Sequence, residues 1–242
     1  VTLHSRDPEI APITADGTVR ARQPRQTVIE IHGNRHPAEV PVIVGASEQR
    51  PPLRFSSDIV PILTKLGCNS GGCHGKATGQ GQFKLSLLGF DPNLDYLALV
   101  KQARGRRLFP SAPERSLLLL KATAQMPHGG GRRLNVLDDD YRVLKQWVAT
   151  GATGPDTAGA VLERIEVTPQ RQTLKPESRH QLLVTAFYSN GESQDVTRRT
   201  LYQSNQQELA SVSKSGRIET TSQRGLFSVM ARFGGQIATF HA

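Results

Sequence analysis

Apolar and polar positions alternate with a period of two at both ends of the chain and with a helical period in its middle. Near the N-terminus, Val28-Ile29-Glu30-Ile31 and Val40-Pro41-Val42-Ile43-Val44 are short runs rich in branched residues, and Asp16-Gly17 is a hairpin turn signal. The same rhythm returns in Ile165-Glu166-Val167-Thr168-Pro169, in residues 181–188, and in Asp195-Val196-Thr197, with a turn at Ser189-Asn190-Gly191. Strand signals at this spacing predict antiparallel sandwich modules.

In the middle, Ile59, Ile62, Leu63 and Leu66 fall on one helical face, behind a cap at Ser56 or Ser57, with Pro61 tolerated in the first turn. Asp91-Pro92 starts a second helix through Leu94, Leu97, Ala98 and Val100. Pro113 opens a short helix through Leu117-Leu118-Leu119-Leu120. A last one begins at Asp138-Asp139-Asp140, where negative charge favours the dipole, and stops at Gly151. Its apolar stripe is Leu137, Tyr141, Leu144, Trp147 and Val148.

The two β regions are related. Residues 5–11 followed by Asp16-Gly17-Thr18-Val19 match residues 204–210 followed by Ser215-Gly216-Arg217-Ile218 without a gap. After a one-residue shift, Ala38 and Val40 align with Ala238 and Phe240. The N-terminal stretch therefore reads as the second half of a module whose earlier strands are absent. A half-sandwich leaves sheet edges and an apolar face open, so the parent protein is expected to extend further at its N-terminus.

Between the β regions stands Cys68-Asn69-Ser70-Gly71-Gly72-Cys73-His74. Covalent haem attachment normally uses two thiols two residues apart and an adjoining histidine that binds the iron. Here four residues separate the thiols, and Gly71, Gly72 and Gly75 let the loop bulge towards a porphyrin plane. Two other readings compete: a small Cys68–Cys73 disulfide in an exported protein, and a zinc site using Cys68, Cys73, His74 and a remote ligand. His32 and His36, four apart in β or loop sequence, and the isolated His4, His180 and His241 receive no ligand role.

Composition narrows the partners. With 242 residues and 37% hydrophobic content the chain is long enough for two domains and part of a third. Its net charge of +9 would suit an acidic redox partner, an anionic surface or a nucleic acid. The arginines are scattered and aromatics are only 5%, so no stacking residues interleave with basic ones and nucleic-acid binding is not expected. No apolar run of about 18 residues predicts a membrane span. The chain begins at Val1 and shows no signal peptide, which reads as a processed or trimmed fragment of a longer polypeptide.

Phe83-Lys84-Leu85-Ser86, residues 110–118, Met126-Pro127-His128 and residues 147–152, together with the cysteine motif, resemble the planctomycete-type cytochrome c domains. The C-terminal β phrases resemble the bacterial immunoglobulin-like group 2 (BIG2) family. These resemblances imply a multidomain chain. An all-α cytochrome c-like domain over 55–155 follows a linker at 47–54. It lies between a partial immunoglobulin-like sandwich at 1–46 and an all-β sandwich module at 160–242.

The resemblance also implies one covalent haem c, with thioethers at Cys68 and Cys73 and His74 as the proximal iron ligand. Where that family carries Met-Pro-Pro, this chain has Met126-Pro127-His128, followed by three glycines that make a pliable loop. His128 is preferred as the distal ligand, giving a bis-histidine iron, and Met126 is the alternative. Arg132, Arg133 and Lys76 are candidate partners of the haem propionates. Phe83, Leu85, Leu88, Phe90, Phe109, Leu120, Leu134 and Trp147 are candidates for the apolar haem wall.

The implied function is electron transfer, not an enzymatic reaction, in an exported protein of the periplasm or cell envelope. Two alternatives accompany it. One is a haem enzyme or gas sensor with a displaceable distal ligand. The other is a structural or adhesive envelope protein with a local disulfide.

Overall fold

The computed structural model describes residues 2–14, 17–33, 37–46, 53–155 and 160–242. Asp16, His36 and the linker residues 47–52, which carry the expected hairpin corner and the Pro51-Pro52 break, lie outside the described residues. The chain divides into two compact units, 1–52 and 53–242.

The first unit is a three-stranded antiparallel sheet of β1 (Thr2–Ser5), β2 (Gln26–His32) and β3 (Ala38–Ile43), in that spatial order. Ser5 stands opposite Ile29, Ile29 opposite Val40, and Ile31 opposite Ala38. Because side chains alternate between faces, this register gathers Leu3, Ile29, Ile31 and Val40 on one face. The other face is charged, with Arg6 paired to Glu30 at 2.6 Å and also to Glu39.

The second unit begins with a single π-helical turn at Phe55–Ile59 that runs into α1 (Val60–Lys65). Then come α2 (Pro92–Tyr96), α3 (Leu117–Ala122) and α4 (Asp139–Ala149). One expected helix start is present as anticipated: Asp91 accepts the Leu94 N–H at 3.0 Å, with Pro92 next to it. Pro61 also sits in the first turn of α1, but the expected cap at Ser56 or Ser57 is replaced, because both serines lie inside the π-helical turn that leads into α1. These pieces share one core around fully buried Trp147 and Phe55, whose ring centres are 5.4 Å apart. The indole N–H of Trp147 donates to the Thr153 carbonyl at 2.9 Å, so no polar group is stranded.

The fold expected for this region needs correction. It is not an all-α cytochrome c-like domain: the described residues as a whole carry four three-stranded antiparallel sheets and few helices. Helices α1 to α3 have five or six residues each, and only α4 reaches 11. Positive φ at Gly67 after α1, at Ala103, Arg104 and Gly105 after the turn that continues α2, and at Ala124 after α3 stops these helical runs after a turn or two.

The sandwich that follows contains β4 (Leu162–Thr168), β5 (Arg179–Gln181), β6 (Leu183–Tyr188), β7 (Ser193–Asp195), β8 (Leu201–Ser204), β9 (Ala210–Val212), β10 (Arg217–Thr220), β11 (Ser228–Phe233) and β12 (Gln236–His241). They form sheets ordered β4-β6-β7, β5-β10-β9 and β12-β11-β8. Inward residues of all three, among them Ile165, Val184, Ile218, Val229 and Phe240, share one buried core. The sandwich is tied to the helical region by Arg199, whose guanidinium lies 2.7 Å from Asp58, and by Arg54, which sits over the Tyr188 ring.

The internal repeat is a repeat of structure. Ile10 and Ala11 donate to the Asp7 carbonyl as Leu209 and Ala210 donate to that of Gln206. Thr14 pairs with Thr18 as Ser213 pairs with Arg217, and Gly17 and Gly216 both take a positive φ, 79° and 80°. Across the one-residue shift, Arg6 donates to Val28 and Asn205 to Ser228, each at 3.1 Å. Strands β1-β2-β3 thus reproduce β8-β11-β12 residue by residue.

Candidate functional site

The chain leaves α1 through Gly67, at φ +75°, and winds the cysteine motif into a closed loop. The Cys68 N–H donates to Leu63, the His74 N–H to Cys68 and the Gly75 N–H to Ser70, at 2.9–3.0 Å. A Cβ on Gly75 would overlap the Asn69 carbonyl, so only glycine permits this closure. Asn69 is fully buried and donates from Nδ2 to the Thr64 hydroxyl at 2.8 Å, anchoring the loop to α1.

His74 is aimed by two neighbours. Its Nδ1 lies 3.0 Å from the Phe83 carbonyl, which only accepts, so Nδ1 carries the proton and Nε2 presents a lone pair. The Phe83 ring lies 4.6 Å from the imidazole and is covered in turn by the Arg107 guanidinium, 4.5 Å from its centre.

His128 is held the same way. Its Nδ1 donates to the Gly131 carbonyl at 2.9 Å, again leaving Nε2 free, and Lys121 fastens the loop by donating to Pro127 at 3.0 Å. A Cβ on Gly130 would stand 3.0 Å from the His128 ring, so glycine lets the backbone fold tightly against it. The two imidazoles are nearly parallel, 16° apart, with ring centres separated by 6.3 Å.

Both rings line a cavity of about 280 Å³, together with Cys68 and Cys73. Neither cysteine is in a disulfide. Leu63, Phe83, Leu85, Leu99, Leu117 and Leu118 form its apolar wall, and Arg106, Arg107, Lys121 and Arg133 supply cations. Burial lowers the His74 pKa, the Phe83 carbonyl opposing, which favours the neutral, ligating imidazole. Burial, reinforced by neighbouring Cys73, pushes the Cys68 thiol up to about 12.

Of the residues expected here from sequence, Cys68, Cys73, His74, His128, Arg133, Phe83 and Leu85 line the cavity. Arg132, Lys76 and Met126 do not, and Met126 is 37% exposed. Among the expected wall residues, Phe90 and Phe109 are exposed, while Trp147 and Leu134 belong to the core behind the cavity. Arg106, Arg107 and Lys121 were not singled out in the sequence. The cluster Arg104-Gly105-Arg106-Arg107 was the available signal, and it reads as diffuse surface charge until Arg107 is seen to be buried.

The labels attached by the family resemblance are corrected with the fold. The mainly β chain is not described as a cytochrome c. Among the described residues no group of three or more His, Cys, Asp and Glu side chains could hold a metal ion, which corrects the reading of a metal centre built from protein ligands alone, zinc included. Also among the described residues, no helix is long and apolar enough to cross a membrane.

No protein-family model matches the chain, and neither does any curated protein. Among solved structures the chain is similar, at 12% identity and a TM-score of 0.30, to domains 4 and 5 of the S-layer protein SbsC, covering 99% of this chain and 68% of that one. It is also similar to a longer SbsC structure, at 12% identity and a TM-score of 0.31, over 99% of this chain and 19% of that one.

Proposed function

We propose that the cavity holds one covalent haem and that the chain serves electron transfer in an exported, envelope or periplasmic protein. The observation that carries this reading is the His74–His128 pair. An imidazole nitrogen binds a first-row metal at about 2 Å, so two imidazoles gripping one iron from opposite sides have ring centres about 6 Å apart. The 6.3 Å between the two ring centres agrees, and both rings are turned by Nδ1 hydrogen bonds of the kind that fix a ligating tautomer.

The donor set fits this group in particular. A metal held by protein alone requires three or more side chains, which are not present among the described residues. A porphyrin brings four nitrogens of its own and asks the protein for two. Bound there, haem supplies a one-electron iron couple. Cys68 and Cys73, both unpaired and both lining the cavity, are the thioether partners. Leu63, Phe83, Leu85 and Leu99 exclude water, and Arg106 and Arg133 offer cations to the carboxylate ends. His74 and His128 would hold the group between them, and redox cycling would then be its simplest use. The net charge of +9 favours an acidic redox partner.

Visible spectra of matured His128→Ala and Met126→Ala variants test the ligand assignment. His128→Ala converts the iron to high spin, and Met126→Ala leaves it low spin. The opposite pattern overturns the assignment.

A second reading, a structural envelope module, is favoured by one observation: the same three-strand sheet occurs twice in this chain, as in proteins built from arrays of β modules. A colourless matured protein with a Cys68–Cys73 disulfide supports it over the first.

A further inference from the structure

We infer that the fixed positive charge of Arg107 sets the reduction potential of this site, an inference that rests on the haem reading of the cavity. The charge holds the couple above the value that two imidazole ligands alone would give.

Arg107 differs from the other cations of the cavity. Arg106, Lys121 and Arg133 are exposed, so water and salt screen their charges. Arg107 is only 7% exposed. Among the described residues no carboxylate compensates it: the cavity lining contains neither Asp nor Glu, and the charge that acts on its guanidinium is that of Arg106, of the same sign. An arginine is always protonated, so the charge is permanent, and burial lets it be felt at longer range than a surface charge.

Burying a cation without a counter-ion is costly. The carbonyls of Ala98, Gln102 and Gln82 satisfy its hydrogen bonds but leave its charge uncancelled. That charge stands against the Phe83 ring, which lies 4.5 Å from the guanidinium and 4.6 Å from the His74 imidazole. Carboxylate ends of a bound group are served by Arg106 and Arg133 from the cavity rim, so Arg107 is not needed for them. What a buried cation adds is an unscreened field one ring away from a ligand.

The sign of the effect follows from charge balance. Reduction takes one electron from the redox partner, makes and breaks no bond, and lowers the positive charge of the site by one. A fixed cation beside His74 disfavours the oxidised state more than the reduced one and moves the equilibrium toward reduction. The apolar wall of Leu63, Leu85 and Leu99 acts in the same direction but is unchanged by an exchange at position 107, so the two contributions separate.

The test is a potentiometric titration of the matured protein at pH 6, to keep a lysine at 107 charged, followed by absorption. At the potential where the wild type is half reduced, Arg107→Gln is expected to show a reduced-to-oxidised ratio at least fivefold lower. Arg107→Lys keeps the charge without the fork and is expected to stay within twofold of the wild type. Where Arg107→Gln does not load haem, Gln102→Glu is read in its place. It puts a negative charge on an exposed residue whose backbone Arg107 already bonds, and a ratio at least twofold lower is expected. An unchanged ratio in the variant read, or Arg107→Lys falling as far as Arg107→Gln, would overturn the inference while leaving the haem reading intact. A wild type that matures without haem would instead remove that reading, and the inference with it.

Discussion

The guanidinium of Arg107 lies 4.5 Å from the centre of the Phe83 ring, and Phe83 in turn carries both the ring and the carbonyl that orient His74. Arg107 donates to the carbonyls of Ala98 at 2.9 Å and of Gln102 and Gln82 at 3.1 Å, so its fork ties the helical segment of residues 97–102 to the loop at Gln82 beside the cavity. Replacing it with leucine strands those acceptors. Arg107→Leu is expected to lower unfolding stability by about 3 kcal/mol in a denaturant titration. A change below about 0.5 kcal/mol, the range of ordinary surface substitutions, would deny Arg107 this role.

Gly75 gives a sharper steric prediction. Its missing side chain makes room for the Asn69 carbonyl next to the cysteines, and nothing flexible stands there to move aside. Gly75→Ala is expected to cost about 2 kcal/mol or more and to reduce covalent cofactor loading, read as the loaded fraction by denaturing mass spectrometry. A fully loaded, equally stable variant would contradict the loop geometry.

The Cys68 thiol sets a pH dependence in protein lacking the cofactor. Its pKa stands at about 12 against an ordinary 9.0, so the folded state holds its proton where the unfolded state has lost it. The unfolded chain then binds fewer protons, and stability falls as pH rises from about 9 towards 12. Iodoacetamide should label Cys68 far more slowly at pH 8 in the folded protein than in denaturant. Equal rates would show the thiol to be exposed.

Asp58 joins the helical region to the sandwich by pairing with Arg199 at 2.7 Å, and it is held in place by accepting the Arg54 backbone N–H at 2.8 Å. Both side chains of the ion pair are largely buried, which lifts it above the usual surface pair. A double-mutant cycle of Asp58→Ala and Arg199→Ala is expected to give a coupling of about 1–3 kcal/mol. Additive effects would mean that the contact is decorative.

Local chemistry made much of this structure readable. Asp91-Pro92 announced a helix start because the cap and the proline both act within a few residues, and the repeat announced a sheet because its turn glycines recur at Gly17 and Gly216. That Cys68, Cys73, His74 and His128 belong together was readable from their residue types, and all four line one cavity. The cavity wall was not. Leu88 adopts φ +56°, a choice no side-chain pattern foretells, and the turn it makes sends Phe90 outward. Arg107 was missed because a buried arginine satisfied by three backbone carbonyls resembles a surface arginine until the chain is folded. The all-α expectation failed for the same reason, since helical periodicity survives in sequence where positive-φ residues cut the helices short.

The most direct measurement is the intact mass, under denaturing conditions, of this chain produced in cells that attach haem covalently, read beside its reduced-minus-oxidised spectrum. The account predicts the mass of the polypeptide plus one haem, lost in Cys68→Ala/Cys73→Ala, with a low-spin spectrum that changes on reduction. A colourless polypeptide of unmodified mass, or one lighter by the two hydrogens of a Cys68–Cys73 disulfide, would contradict it.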